Sequence, residues 1–138
     1  MIRLDNWQSR LSDYIIGRAQ QPFKYGVMDC GLFVAGAIEA MTAVDVANDL
    51  KGHYSSRKEA FDTIKGVCGK GTVKAIADHI AAKYGISETP VLCAQRGDPV
   101  LLTSGLGIVD MNAGFILTPY KRGLLRLPLS SALKAWHI

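Results

Sequence analysis

Asp29 is followed by Cys30-Gly31-Leu32-Phe33-Val34-Ala35-Gly36-Ala37-Ile38, a run with no charged side chain and no polar face. A helix of this kind has nothing to present to water, so the rest of the chain must enclose it. It stops at Glu39 and is too short to span a bilayer, which takes about 20 apolar residues. Asp is a good N-cap, which makes Cys30 the first helical residue. Gly31 and Gly36 weaken a helix. Their place in the run predicts close approach of another backbone, that of a sheet.

The remaining elements are set by spacing. Asp5 or Asn6 can cap a first helix whose apolar face is Trp7, Leu11, Tyr14 and Ile15, ending at Gln20-Gln21-Pro22. Phe23-Lys24-Tyr25-Gly26 is a loop, and so is the stretch from Asp45 to His53. Ser56 with Glu59 fits a capping box opening a short helix with Ala60, Phe61 and Ile64 inward, ending near Gly66. Thr72 caps a fourth helix with Val73, Ile76, Ala77, Ile80 and Tyr84 on one stripe, and Gly85 stops it. Strand-like runs occupy Pro99 to Thr103, Leu106 to Met111, Gly114 to Thr118 and Leu124 to Pro128, with Asn112-Ala113 as a hairpin turn. Pro128 marks the last as an edge strand, and a final turn leads to Trp136. Helices first and an antiparallel meander afterwards give the α+β class, expected as one domain over residues 1–138. The expected core includes Leu32, Phe33, Val34, Ile38, Ile76, Ile80, Leu101, Leu102, Ile108 and Ile116.

Composition narrows function. The chain has 138 residues, 49% hydrophobic and 20% charged, which suits a packed core and not disorder. The formal net charge of +4 is carried by dispersed residues with no aromatic platform interleaved, so no nucleic-acid partner is expected. The first six residues show no apolar signal-peptide core, and no secretion signal or membrane insertion is expected. The three cysteines (Cys30, Cys68, Cys93) and three histidines (His53, His79, His137) are widely spaced. Metal sites need ligands clustered at short spacing, so no metal or other cofactor is expected. Gly69-Lys70-Gly71-Thr72 lacks the hydroxyl residue that must come directly after Lys in a phosphate loop. Arg96-Gly97-Asp98 reads as a turn entering a strand.

The Asp29-Cys30 pair is the most informative. A thiol in the first turn of a helix sits in the positive end of the helix field, which favours thiolate. The competing reading is a small buried hydrophobe, and position alone favours that one. A cysteine hydrolase also needs a base within hydrogen-bond reach. His79 lies off its helix's apolar stripe, and His137 is far along the chain. His53, in the Gly52-His53-Tyr54 loop, is the one candidate base, weighed against an ordinary loop role.

The Phe23, Tyr25-Gly26 loop, then Asp29-Cys30 opening an apolar helix, then Arg96-Gly97-Asp98 and Leu106-Gly107-Ile108 on successive strands form an ordered set. This order resembles the NlpC-type branch of papain-like cysteine peptidases. With Tyr54-Ser55, the Gly97-Asp98 strand, Leu106-Gly107-Ile108, Gly123-Leu124 and Ala135-Trp136, the chain is similar to a family of small phage and prophage tail-region proteins that look like degenerate relatives of that type. The resemblance runs from about Trp7 to Ile138. It implies a papain-like fold, a helical N-terminal half packed on a small antiparallel sheet. It implies that Cys30 stands at the nucleophile position, in a cleft lined by Tyr25, Gly26, Asp29 and Gly105. It places Gly105 where active enzymes carry the catalytic His. The role it implies is that of a virion protein of the tail tip or hub, with other tail proteins as partners and no catalysis. The alternative is a cell-wall peptidoglycan endopeptidase or amidase using Cys30 with His53. A third possibility is a cleft that binds wall peptides without cutting them.

Overall fold

The computed structural model describes residues 1–138 and is α+β. Four helices come first: α1 (Trp7–Arg18), α2 (Cys30–Thr42), α3 (Arg57–Cys68) and α4 (Val73–Tyr84). Six strands come after them: β1 (Ser87–Thr89), β2 (Pro99–Leu102), β3 (Gly105–Val109), β4 (Phe115–Tyr120), β5 (Gly123–Pro128) and β6 (Lys134–His137). They form one antiparallel sheet in the order β1-β6-β2-β3-β4-β5. The meander β2 to β5 is the expected one. The two unexpected strands are β1 and β6, and β6 inserts between β1 and β2, so the expected final turn toward Trp136 is largely strand. Both are short, and β1 has no buried residue to generate an alternating pattern.

Local chemistry sets the helix ends. Ser56 Oγ accepts from Glu59 N at 3.2 Å while Glu59 accepts from the Ser55 and Ser56 hydroxyls. Thr72 Oγ1 accepts from Ala75 N, and Gly69 and Gly85 close α3 and α4 in the left-handed conformation. α3 runs two residues past the expected Gly66, to Cys68. At α1 the side chain of Asn6 makes no cap bond.

α2 is enclosed. Seven of its residues are buried, and it packs between α1 and the face of the sheet that carries Leu101, Leu106, Ile108, Leu117 and Trp136. The opposite face, with Val100, Leu102, Val109, Ile116 and Ala135, is covered by two short 3-10 turns that supply Val91, Ala94, Leu129 and Ala132. Of the expected core, Leu32 and Ile80 are only partly buried and the other eight are buried. The two helix glycines correct the sequence reading. A Cβ on Gly36 would strike the ring and hydroxyl of Tyr14, so Gly36 makes room for α1 and not for the sheet. Tyr14 uses that room to stack on Phe33 and to donate to the Phe33 carbonyl at 2.9 Å. Gly31 meets nothing closer than Asp29 Oδ1 at 3.6 Å and faces a cleft.

Candidate functional site

The site is built on Asp29. Its backbone is extended while the next residue turns helical, so the carboxylate folds back over the helix start. Oδ1 accepts from Leu32 N at 2.9 Å. Oδ2 accepts from Gly26 N at 2.9 Å and from the Tyr54 hydroxyl at 2.7 Å. One carboxylate, 4% exposed, thus ties the Phe23–Gly26 loop, α2 and the 43–56 connection to each other. Tyr54 holds its proton more tightly than a free phenol. Burial is the main cause, and the Asp29 carboxylate that accepts its hydrogen bond adds to it.

Cys30 comes next, half-buried at the head of α2. Burial pushes its thiol pKa up, and the neighbouring Asp29 charge pushes the same way. Backbone amides of Leu106, Gly31 and Cys30 itself pull it back, but desolvation wins. Burial thus opposes the helix field at this sulfur. Facing it is Gly105 at the start of β3, with φ at +154°, a conformation that side chains rarely adopt. A Cβ there would lie 2.9 Å from Cys30 Sγ. Gly105 therefore lets the β3 backbone close over the thiol, at the position where the family resemblance calls for the catalytic His.

Cys30 opens into a cleft of about 560 Å³ between the α3–α4 pair and the β4–β5 hairpin. Of the residues expected to line it, Tyr25 and Asp29 do so. Gly26 is not among the lining residues; its amide serves Asp29 and its Cα abuts the Tyr54 carbonyl. Gly105 contributes through its contact with the sulfur, while its neighbours Ser104 and Leu106 line the cleft. The structure does not bring His53 to this group. His53 is exposed and outside the cleft lining, close enough to Asp49 to lower that carboxyl's pKa slightly, after the dominant effect of Lys83. The residue that reaches the site from this loop is the next one, Tyr54.

A second buried carboxylate reads in the sequence only as part of a turn. Asp98 is fully buried and accepts from Arg3 Nη2 at 2.9 Å, Gln95 N at 2.8 Å and Ile138 N at 3.1 Å. His137 Nδ1 lies 3.2 Å from its Oδ2. Arg3 also reaches the carbonyls of Arg96 and Ile138 and stacks on Trp7 at 4.1 Å. The sequence signal is present in Arg96-Gly97-Asp98, but nothing in it names Arg3 or Ile138, 95 and 40 residues away.

No three His, Cys, Asp or Glu side chains are grouped to hold a metal ion, and no helix is long and apolar enough to cross a membrane. The fold and site define an α+β chain organised around a capped cysteine at the start of a buried helix. The chain belongs to the family described as a domain of unknown function, DUF6950, whose model matches residues 2–138. No curated protein and no solved structure matches it.

Proposed function

We propose that this chain is a non-catalytic assembly component of a bacteriophage tail tip or hub, carrying a papain-like, NlpC-type fold that has lost its peptidase chemistry. The carrying observation is Gly105: the residue that faces Cys30 Sγ from β3 has no side chain, and a Cβ there would already lie 2.9 Å from the sulfur, so β3 supplies no base to it. The rest of the site agrees. The thiol's pKa is raised, Asp29 is committed to three hydrogen bonds, and His53 lies outside the cleft. A thiol without a base lacks both its activator and the acid that protonates a leaving amine. Loss of one member of such a set generally lowers the rate by several orders of magnitude. Assignment to a tail is supported by the ordered motif resemblance from Trp7 to Ile138.

The test is complementation in the parent phage or prophage. Deleting the gene is expected to stop formation of infectious tails, and Cys30→Ser is expected to restore them fully. The protein is expected to co-purify with tail-tip or hub proteins. Normal tails without the gene would overturn the assembly role. Failure of an otherwise folded Cys30→Ser protein would return the peptidoglycan endopeptidase reading, for which the open cleft beside Cys30 is the favouring observation.

A further inference from the structure

The two sides of the Cys30 cleft differ in chemistry. The α3–α4 side is apolar, presenting Ala60, Phe61, Ile64, Val73 and Ile76. The other rim is formed by Phe23, Tyr25, Tyr120 and Lys121, joined by the bond from Phe23 N to Tyr120 O at 2.9 Å. Leu124 N donates to Ala19 O at 2.9 Å, which brings the end of α1 against the same hairpin. Lys121 lines the cleft, and Lys24 and Arg122 are chain neighbours of its lining residues, all three exposed. None of the three is in a salt bridge. Neither 17–28 nor 118–125 contains an Asp or Glu. The rim is a cationic edge with no internal counter-charge.

We infer that the cleft recognises an acidic, extended segment of a partner protein. An aromatic or aliphatic side chain enters against Phe61 and Val73, and flanking carboxylates meet Lys24, Lys121 and Arg122. This rests on the reading of the chain as an assembly component and adds the chemistry of its partner. Charge complementarity selects the occupant. A nucleic-acid strand carries a phosphate at every step, but the cations occupy one rim and the facing wall is apolar. A peptide can place charge on one side and an apolar group on the other.

The probe is a fluorescein-labelled hexapeptide, Glu-Asp-Phe-Glu-Asp-Leu, read by fluorescence anisotropy on the full chain. Its counterparts are Lys-Arg-Phe-Lys-Arg-Leu and a thymidine oligonucleotide of equal charge. The acidic peptide is expected to bind at about 50 mM salt and to weaken about tenfold or more at about 500 mM, where screening is strong. Lys121→Glu with Arg122→Glu is expected to weaken it by about tenfold or more. Ser104→Trp, at an exposed position on the cleft wall, is expected to block it by filling the space. Lys65→Glu with Lys70→Glu, exposed and not among the cleft-lining residues, is expected to leave it unchanged. Absence of binding up to about 1 mM, tighter binding of the oligonucleotide, or an equal loss in the Lys65/Lys70 pair would each overturn the inference. Mass spectrometry of the recovered peptide separates the two levels. Intact peptide that fails to bind ends this inference alone, whereas cleaved peptide ends the non-catalytic reading.

Discussion

Two buried aspartates organise opposite ends of the β2–β3 hairpin, and they do different work. Asp29 heads α2 beside Gly105, which pairs with Leu102. Asp98 precedes Pro99, which pairs with Ile108 at the hairpin's other end, about 10 Å along the strands. Asp29 accepts only neutral donors and borders an open cleft with a thiol. Asp98 accepts from a guanidinium, two backbone amides and a histidine. The molecule thus carries a cysteine with no histidine at one end and a histidine–carboxylate pair with no cysteine at the other. A thiol and a base act together only within hydrogen-bond reach, and here they stand at separate ends of one hairpin.

The largest test of this comparison is removal of each carboxylate. Asp98→Ala leaves the Arg3 cation and two amides unpaired in a buried place and is expected to cost about 3–5 kcal/mol in urea unfolding. Asp29→Ala removes a helix cap and two further neutral bonds, with no cation stranded, and is expected to cost about 2–3 kcal/mol. If Asp29→Ala proves the costlier, the distinction between a charge clamp and a cap fails.

Next in size is the contact between Gly105 and the sulfur. Gly105→Ala strains the backbone and collides with Cys30, for an expected loss of about 1–3 kcal/mol. In a double-mutant cycle Cys30→Ala is expected to relieve part of that loss. Simple additivity would mean that β3 does not close on the thiol.

The thiol itself is tested by alkylation against pH, with Cys68 and Cys93 replaced by Ala. The raised pKa predicts a midpoint above the value of about 8.5 for free cysteine. A raised pKa also fixes the sign for stability. The contribution of this group is complete below the unfolded pKa and is lost as pH rises through the folded one. Cys30→Ala is expected to flatten that alkaline loss. A midpoint near neutrality would instead describe a working nucleophile.

The smallest effect belongs to a partly exposed carboxylate, Asp78, which bonds to neither aspartate's partners. Burial pulls the Asp78 pKa up, but hydrogen bonds and charge from Lys134 and Lys74 outweigh it and hold the carboxyl below its ordinary range. Its contribution is present above the unfolded pKa and is lost as pH falls through the folded one. Because the ion pairs are partly solvated, Asp78→Asn is expected to change stability by less than about 1 kcal/mol. A loss comparable to that of Asp98→Ala would show that burial does not separate the two carboxylates.

The sequence by itself determined what is local. The Asp29 cap, the Ser56–Glu59 box, the Thr72 and Gly85 boundaries and the β2 to β5 meander all arise from neighbours a few residues apart, where propensity and hydrogen bonding act within one turn or one hairpin. The apolar run from Cys30 to Ile38 required enclosure, and α2 is enclosed. Only the tertiary structure decided which elements supply the walls. Gly36 met a tyrosine from α1 where a sheet was expected, because a bare glycine specifies space but not its occupant. Tyr54 reached Asp29 across 25 residues while its neighbour His53 faced water. β6 entered the sheet between β1 and β2, and Asp98 drew Arg3 and Ile138 together. Each of these closes a long loop, and the free energy that decides it is the burial of side chains with no sequence relation to one another.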